Sequence, residues 1–594
     1  MRYCENPFSY KKRASREVVV GNPEDGGVVI GGAGPVVRQS MLTCDTKDTE
    51  ACVRDSLALV DVGCQIVRVT APTVKAAANL ENIVRDLREK GCKVPIVADI
   101  HFKPDAAMEA VKWVEKVRVN PGNYADKKKF QVREYTDEQY DEELVRIEEE
   151  FTPLVDKCVE LKRAMRIGTN HGSLSDRIMN RYGDTPLGMV ESALEFARVA
   201  RKNGFHNFCF SMKSSNPKVM IECYRLLTAR LAGEGEDWNY PLHLGVTEAG
   251  EGEDGRIKSA IGIGSLLCDG IGDTIRVSLT EDSPNEIRVC RDLLDQIPEL
   301  VNTSVEIPEM ELSFNPFEYE RHATGTVELD EGIKAGGEEL VRVIVTQAAF
   351  DKLAPRIRPG DDVRPEGIHE QLNIKELDPM GEIAVDGPDQ WVTVADGTQL
   401  PAITAFRLLA AKLKKAGLKN PILLKDLLNF PEVPFSPEAA LLRASVVIGA
   451  LLCDGIGDAI LVRGEPGAGQ SLRLAYNILQ AAGCRSFKTD YVACPSCGRT
   501  LFDLQEVTAR IKARTEHLKG VKIAIMGCIV NGPGEMADAD FGYVGGAPKK
   551  INLYVGKTPV KFNIPEEEAV DRLVDLIKEH DKWVDPRVEE VVGE

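Results

Sequence analysis

The segment LLCDGIGDTIRVSL, residues 266–279, combines the end of a helix, a tight glycine turn and a β-strand. Its first eight letters return unchanged at residues 451–458, and twelve of twenty positions agree between Lys258–Val277 and Arg443–Val462. A short β-branched run that follows a glycine turn predicts a buried strand after a helix. A parallel barrel needs this unit as its seventh helix and eighth strand. The repeat therefore predicts two related barrel-like parts in one chain.

Seven further strand candidates precede this unit, and each is followed by a stretch with helical spacing. They occupy residues 35–41, 65–70, 94–101, 116–122, 165–170, 207–213 and 241–250, with 274–279 as the eighth. Short apolar strands that alternate with helices indicate a parallel sheet, and eight such units match a (β/α)8 TIM barrel. A doubly wound open sheet is the alternative, but it would carry a glycine-rich turn after its first strand. The segment GGAG at residues 31–34 precedes that strand, so it does not predict a dinucleotide site.

The composition limits the classes of protein that the chain can belong to. Its 594 residues, 43% hydrophobic and 28% charged, predict a soluble globular α/β protein of two to four domains. A net charge of −19 argues against binding to nucleic acid or to an anionic membrane. We find no apolar run long enough to span a bilayer and no secretory signal. Most of the fifteen cysteines stand alone in apolar segments, which suits a reducing compartment, and we expect a bacterial cytoplasmic protein.

Cationic side chains lie at the ends of five strand candidates, namely Arg68, Arg118, Arg166, Lys213 and Arg276. A single arginine of this kind is often structural, but four on separate strands of one barrel are harder to explain in that way. Buried guanidinium groups need anionic partners, and their planar forks suit phosphate oxygens. Ser278 follows Arg276 by two residues and so faces the same side of its strand. The pattern predicts a pocket for a multiply charged phosphate ester, most simply a diphosphate.

The remaining strand ends supply acids, bases and amides, namely Asp99, His101, Asn120, Asn170, Thr247 and Glu248. In a barrel, the carboxyl ends of the strands and the loops after them form the active site. Each residue alone is compatible with an ordinary hydrogen-bonding role in a loop. Together they provide donors and acceptors around a ligand, and Glu248 is the candidate proton donor.

Three cysteines near the C-terminus differ from the others. Cys494 and Cys497 form a C-x-x-C pair in YVACPSCGRT, and Cys528 ends an apolar run before the turn NGPGE. Three thiolates without a nearby histidine fit a structural zinc poorly, because a fourth Cys or His normally closes such sites. An iron–sulfur cluster fits better, with Glu535 as the candidate fourth ligand. A zinc site and a redox dithiol are the alternatives.

These motifs together resemble the 4-hydroxy-3-methylbut-2-enyl diphosphate synthase family of the methylerythritol phosphate isoprenoid route, in its long three-domain form. The resemblance rests on ADIHF, PLHLGVTEAG, DGIGDTIRVSL, ACP-CGR and GC-VNGPGE, and covers most of residues 35–300 and 486–560. It implies an iron–sulfur oxidoreductase that reduces, dehydrates and opens 2-C-methyl-D-erythritol 2,4-cyclodiphosphate. It also implies a ferredoxin or flavodoxin as electron donor and a [4Fe-4S] cluster on Cys494, Cys497, Cys528 and Glu535. The strand-end residues would then bind the substrate.

The predicted domains are a substrate-binding barrel over residues 1–300, an insert over 301–485 and a cluster domain over 486–594. We interpret the insert as a degenerate barrel-like region descended from the first barrel, because it holds the second octapeptide. Leu461 and Arg463 replace Arg276 and Ser278, and Val433 takes the place of Glu248. The scaffold is kept while the cationic clamp is lost. This favours a structural spacer over a second ligand site or a partner surface.

Such a spacer would let the cluster domain reach the barrel of its own chain, in a monomer or a homodimer. The glycine-rich segment GEPGAGQS at residues 464–471 is only weak evidence for a phosphate site in the insert. Two other functions stay open at this point. One is a barrel synthase that acts on another phosphorylated substrate and carries a structural zinc. The other is an iron–sulfur electron carrier fused to an inert barrel.

Overall fold

An antiparallel hairpin, β1 (Val18–Val20) and β2 (Val28–Ile30), covers the floor of the first domain. Its apolar side chains pack against residues at the amino ends of the barrel strands, including Val37 and Ile66. These contacts seal the floor with a small core of its own. The structure is a computed structural model, which describes residues 1–100, 103–125, 134–330, 332–358, 360–529, 534, 536 and 538–586.

Eight parallel strands form the barrel, which confirms the predicted fold. They are β3 (Val37–Met41), β4 (Ile66–Thr70), β5 (Ile96–Asp99), β6 (Lys116–Val119), β7 (Ala164–Asn170), β8 (Phe208–Lys213), β9 (His243–Leu244) and β10 (Thr274–Ile275). Their order in the sheet is β8-β7-β6-β5-β4-β3-β10-β9, and a parallel bridge from Phe210 to Leu242 closes the circle. The strands lie inside their predicted segments, except that β7 begins one residue earlier. All the strands place their carboxyl ends at one mouth.

Helices follow the strands around the outside of the barrel. They are α1 (Thr49–Asp61), α2 (Val74–Glu89), α3 (Pro104–Ala110), α4 (Pro121–Tyr124), α5 (Asp137–Glu160), α6 (Asp176–Tyr182), α7 (Pro186–Lys202), α8 (Pro217–Glu234), α9 (Gly252–Ser259), a π-helical turn (Ala260–Gly264), α10 (Ser265–Cys268) and α11 (Ser283–Val301). Local sequence sets where they begin. Asp48 accepts the N–H of Ala51 at the start of α1, and Thr73 accepts that of Ala76 at the start of α2.

The insert repeats this plan with fewer strands. Its elements are β11 (Val327–Asp330), β12 (Ile333–Ala335), β13 (Arg342–Val345), α12 (Gln347–Leu353), β14 (Gly367–Ile368), β15 (Ile374–Leu377), β16 (Trp391–Val394), α13 (Ala402–Ala416), β17 (Leu423–Lys425), α14 (Pro437–Cys453), β18 (Ala459–Leu461) and α15 (Ala468–Ala481). The hairpin β11–β12 covers the floor as β1–β2 does in the barrel. A parallel row runs β14-β13-β18-β17, and a bridge from Val392 to Ile422 adds β16 and β15. Among the described residues β14 and β15 are not paired, so this barrel is incomplete.

The structural register corrects one residue of the predicted alignment. In the barrel Thr274 pairs with His243, and in the insert the equivalent Ala459 pairs with Leu423. The seventh strands therefore correspond with an offset of 180 residues, five fewer than the eighth strands. This offset places Leu428, rather than Val433, at the position of Glu248. The alignment from the octapeptide was wrong here because the connection between the seventh strand and its helix differs in length.

The barrel and the insert meet at their two octapeptides. Arg225 of α8 contacts Asp269 and Asp454 at 2.8 Å each, and Arg407 of α13 contacts the same two carboxylates at 2.7 Å each. All four side chains are buried. Helix packing is equally reciprocal, since a Cβ on Gly264 would lie 2.4 Å from Val446 and one on Gly449 would lie 2.3 Å from Ile261. These contacts give the interface approximate two-fold symmetry.

The C-terminal domain is a mixed sheet with two helices packed on one face. Its elements are β19 (Asp490–Ala493), α16 (Leu504–Thr515), β20 (Lys522–Met526), β21 (Phe541–Ala547), β22 (Lys550–Val555), β23 (Thr558–Pro565) and α17 (Glu566–Glu579). The strands lie in the order β19-β20-β21-β22-β23, parallel at the first two junctions and antiparallel at the last two. Because β19 and β20 are parallel neighbours, their carboxyl ends and the loops after them lie together.

This domain lies over the mouth of the barrel in the same chain. A parallel bridge joins Ala249, just after β9, to Ala493 at the end of β19. Helix α9 adds ion pairs to the domain, between Lys258 and Asp490, Asp254 and Lys488, and Glu251 and Lys512. Among the described residues, no helix is both long and apolar enough to cross a membrane.

Candidate active site

A cavity lies between the barrel mouth and the C-terminal domain. From the barrel it is lined by Met41, Arg68, Arg118, Arg166, Asn170, Lys213, Thr247, Glu248, Arg276 and Ser278. From the C-terminal domain it is lined by Cys494, Pro495, Ser496, Cys497, Arg499, Thr500, Met526, Gly527 and Cys528. The structure therefore brings all five predicted cations and all three predicted thiols to one space.

The cations fall into two groups according to their partners. Arg68 and Arg118 share the carboxylate of Asp99 at 2.8 and 3.0 Å. Arg276 pairs with Glu286 at 3.0 Å. These three guanidinium groups are already held in place by buried carboxylates before any ligand binds.

The second group lacks such compensation. Among the described residues, neither Arg166 nor Lys213 has a carboxylate partner, and Nε and Nη2 of Arg166 are buried without a hydrogen bond. Burial, together with the neighbouring Arg68, lowers the pKa of Arg166 and of Lys213 well below its usual value. Buried cations that repel one another in this way are stabilised by a bound polyanion. The cavity is therefore suited to a diphosphate.

The other predicted polar residues divide between the cavity wall and its support. Asn170 lines the cavity and accepts a hydrogen bond from Arg118 at 3.1 Å. Asp99 lies behind the wall as the shared partner of two arginines. Asn120 is fully buried, accepts the N–H of Gly122 at the start of α4 and donates to Ser173. His101 lies outside the described residues.

Glu248 occupies a backbone conformation that only glycine adopts easily. Its φ is 48°, and its side chain is only 5% exposed at the cavity wall. A non-glycine residue held in this region carries backbone strain, which the surrounding structure must offset. This backbone conformation places Glu248 at the wall of the cavity that Cys494 also lines.

The three thiols come from adjacent strand ends. Cys494 follows β19, Cys528 follows β20, and Cys497 lies in the loop between them, so the sheet brings the three to one wall of the cavity. The N–H of Gly527 points at Sγ of Cys494 at 3.3 Å. Burial raises the pKa of the Cys494 thiol, with Cys497 adding to the shift. A cationic metal centre bound beside this thiol would favour its thiolate form.

The three thiols that line the cavity are donors of the type that an iron–sulfur cluster takes. Among the described residues, no three Cys, His, Asp or Glu side chains gather around one point as ligands of one ion do. Glu535, the predicted fourth ligand, lies outside the described residues. The fit rests on three thiols that face one enclosed, cation-rich space.

The corresponding mouth of the insert is occupied by its own ion pairs. Lys425, which is buried, contacts Asp396 at 2.7 Å and Glu376 at 3.3 Å, and Arg463 contacts Asp396 at 2.7 Å. Asp426 accepts the backbone N–H groups of Arg463 and Gly464. The Asp426 carboxylate therefore already binds the backbone N–H groups at the start of the glycine-rich segment, residues 464–471. The cations here are compensated by the protein itself.

Two functional residues were missed from the sequence. Glu286 of α11 accepts two hydrogen bonds from Arg276 and one from Ser40, and so fixes the clamp from a helix that carried no signal. Arg499 projects into the cavity from the C-terminal domain. The pair Gly-Arg directly after the C-x-x-C motif was a signal for it, but this arginine does not lie at a strand end.

Comparisons with known proteins identify the family of this chain. The family model described as the GcpE TIM-barrel domain matches residues 15–291, and that of the GcpE protein C-terminal domain matches residues 490–579. A 4-hydroxy-3-methylbut-2-en-1-yl diphosphate synthase (flavodoxin) from Akkermansia muciniphila is 58% identical over 98% of this chain and 99% of its own. A chloroplastic synthase (ferredoxin) from Arabidopsis thaliana is 42% identical over 99% of this chain and 90% of its own. The chain belongs to the 4-hydroxy-3-methylbut-2-en-1-yl diphosphate synthase family.

Proposed function

We propose that this chain converts 2-C-methyl-D-erythritol 2,4-cyclodiphosphate and two electrons to 4-hydroxy-3-methylbut-2-enyl diphosphate. The reaction takes up two protons, opens the cyclic diphosphate and releases one water. The observation that carries the proposal is the single cavity in which five barrel cations face three cysteine thiols. A fused electron carrier would need no anion pocket, and full-length similarity to named synthases disfavours a zinc-dependent barrel enzyme.

The barrel residues bind and orient the substrate. Arg166 and Lys213 lack carboxylate partners among the described residues, so a diphosphate gives them their missing anion. Arg68, Arg118 and Arg276 add guanidinium groups that buried carboxylates already hold in position. Pre-positioned donors of this kind lose little entropy on binding and fix the reacting carbon–oxygen bonds relative to the opposite wall. We assign Ser278, Asn170, Thr247, Asp99, Asn120 and His101 to the same binding site or its support.

A [4Fe-4S] cluster would be held by Cys494, Cys497, Cys528 and Glu535. When bound, it supplies the electrons one at a time next to the carbon–oxygen bonds that break. Glu248 lines the same cavity as the cations and the thiols and is nearly excluded from solvent. We propose that it holds the proton with which the departing hydroxyl leaves as water.

The electron donor, the cellular compartment and the role of the insert are also part of the proposal. We propose a flavodoxin or ferredoxin as the electron donor, because similar synthases carry one or the other in their names. The isolated thiols suit a reducing bacterial cytoplasm. The insert is proposed as a spacer that holds the C-terminal domain over the barrel of its own chain.

One anaerobic experiment tests the proposal. Purified enzyme should contain about four irons and four sulfides per chain, and it should turn over the cyclic diphosphate with a chemical reductant. Loss of a broad visible absorbance in air should accompany loss of activity. Zinc without sulfide, or a loaded cluster with no turnover of the cyclic diphosphate, would contradict it.

A further inference from the structure

Arg499 is the cation that the C-terminal domain contributes to the cavity. It follows Cys497 by two residues and lines the same space as the five barrel cations. Its Nε and Nη1 atoms are buried, and among the described residues neither has a hydrogen-bond partner. Buried guanidinium N–H groups without an acceptor are costly, so their presence points to a ligand that supplies one.

The backbone around Arg499 is held against the barrel. A Cβ added at Gly498 would lie 2.4 Å from the carbonyl oxygen of Cys44 and 2.8 Å from Oγ1 of Thr70. Only glycine allows this approach to the loop after β3 and to the end of β4. Within the loop, the N–H of Cys497 donates to Oγ1 of Thr500, whose own N–H donates back to the carbonyl of Cys497. The side chain of Arg499 therefore enters the cavity as a consequence of the C-terminal domain lying on the barrel rim.

The charges near Arg499 lie on both sides of the domain boundary. Cys497, with which its side chain makes a hydrogen-bond contact, Asp99 and Cys528 all lie within electrostatic range of its guanidinium group. Asp99 is already shared by Arg68 and Arg118. The guanidinium group thus lines the same cavity as the thiols and the barrel cations, so an anion bound in that cavity is a candidate partner for it.

We infer that Arg499 binds an anionic oxygen of the diphosphate substrate from across the domain boundary, so that substrate binding and closure of the C-terminal domain favour each other. The inference rests on the proposed function for the identity of the anion. A ligand held by both domains stabilises the closed arrangement by the same free energy that closure adds to its affinity. Nε and Nη1 lie on different edges of the guanidinium group, so each has an N–H that can donate to a separate anionic oxygen.

The test compares R499Q and R499K with a control, R514Q, in anaerobic holoenzyme. Arg514 lies in the same domain, but its side chain is half exposed and pairs with Asp571 on the surface. Calorimetric titration with the cyclic diphosphate and with inorganic pyrophosphate gives the affinities, and steady-state assays separate KM from kcat. Iron and sulfide contents are measured on the same samples.

We expect R499Q to weaken binding of both ligands and to raise KM, each by roughly 10- to 100-fold, as loss of one charge-assisted hydrogen-bonded contact predicts. R499K should recover part of the affinity, because it keeps the charge and loses the fork. R514Q should match the wild type. In hydrogen exchange, the substrate should protect the Ala249–Ala493 bridge in the wild type and not in R499Q.

Three results would overturn the inference. They are wild-type affinity in R499Q, a loss of cluster content that accounts for the whole defect, and equal substrate protection of the bridge in both proteins. Failure of the proposed function looks different, because the wild type itself would then neither bind nor convert the cyclic diphosphate. In that case pyrophosphate still decides whether Arg499 binds a diphosphate anion.

Discussion

The barrel and the insert share one scaffold and differ at their mouths. Both have a floor hairpin, a helix that ends in LLCDGIGD and an eighth strand beside the first. Both also bind an N-terminal arm in the same way, since Arg13 donates its backbone N–H to Gly270 and His322 donates to Gly455, each at 2.8 Å. The arms themselves are related, as NPFSYKKRAS at residues 6–15 and NPFEYERHAT at residues 315–324.

The difference lies in how each mouth compensates its cations. The barrel leaves Arg166 and Lys213 without a described carboxylate partner, whereas the insert surrounds Lys425 with Asp396 and Glu376. A mouth with uncompensated cations favours an anionic ligand, and a mouth with internal ion pairs does not. The identical octapeptides therefore indicate shared architecture, because Asp269 and Asp454 are used at the interface between the two barrels and not in the cavity.

The strongest test of this comparison asks whether the insert takes the place of a second chain. Chains carrying R276Q and chains carrying C528S are co-expressed, and mixed assemblies are isolated with two affinity tags. Because the C-terminal domain lies on the barrel of its own chain, each chain keeps one defect, and we expect activity to stay at background. Chains that carry both substitutions, mixed with wild-type chains, give the reference. Activity near one half of wild type in the isolated mixed dimers would show that the domains work in trans.

The next prediction sets the two mouths directly against each other. R276Q should lower kcat/KM by roughly 100-fold or more, because it removes a clamp cation and leaves Glu286 as a buried carboxylate without its partner. R463Q alters the equivalent end of the insert, where Asp396 still keeps Lys425. It should leave kcat/KM within about twofold. A large loss of activity in R463Q with normal folding would make the insert a second functional site.

A third prediction concerns the four buried charges between the barrels. D454N leaves Arg225 and Arg407 sharing Asp269, and it should lower the free energy of unfolding by about 3–5 kcal/mol. D269N should have a similar effect if the interface is symmetric in energy as it is in geometry. D386N, which removes an exposed pair with Lys375, should change stability by less than about 1 kcal/mol. Denaturant unfolding of the three variants and the wild type measures these free energies. Equal stability of D454N and D386N would contradict the expectation.

The pKa shifts give this network a pH dependence. Burial alone would raise the pKa of Asp269, but Arg225 and Arg407 outweigh it and lower the pKa. A lowered carboxyl pKa contributes stability that is present above the unfolded value of about 4 and is lost as the pH falls below it. The wild type should therefore lose more stability than D269N between neutral pH and the acid limb.

The sequence predicted the barrel well because each strand is short, buried and bounded by helical periods. Its limits are equally physical. The five-residue error at Leu428 arose because a loop changes length without changing the flanking patterns. The roles of Glu286 and Arg499 depend on contacts between distant elements, which spacing along the chain does not encode. The residues that line the cavity were mostly predictable, because buried arginines on separate strands need a common anion, whereas Asp99 and Asn120 proved to support the site from behind.

The smallest effect should come from the surface ion pairs that hold the C-terminal domain on helix α9. Asp254–Lys488 and Glu251–Lys512 are about one quarter exposed, so each contributes at most about 1 kcal/mol and is screened by salt. K512Q should increase hydrogen exchange at the Ala249–Ala493 bridge less than about fivefold, and high salt should reproduce this change in the wild type. The insert is joined to the barrel through buried charges that salt does not reach, so exchange in α14 should stay constant. If exchange at α14 rose together with exchange at the bridge, the two interfaces would open as one unit, and the insert would then be a moving part rather than a fixed support.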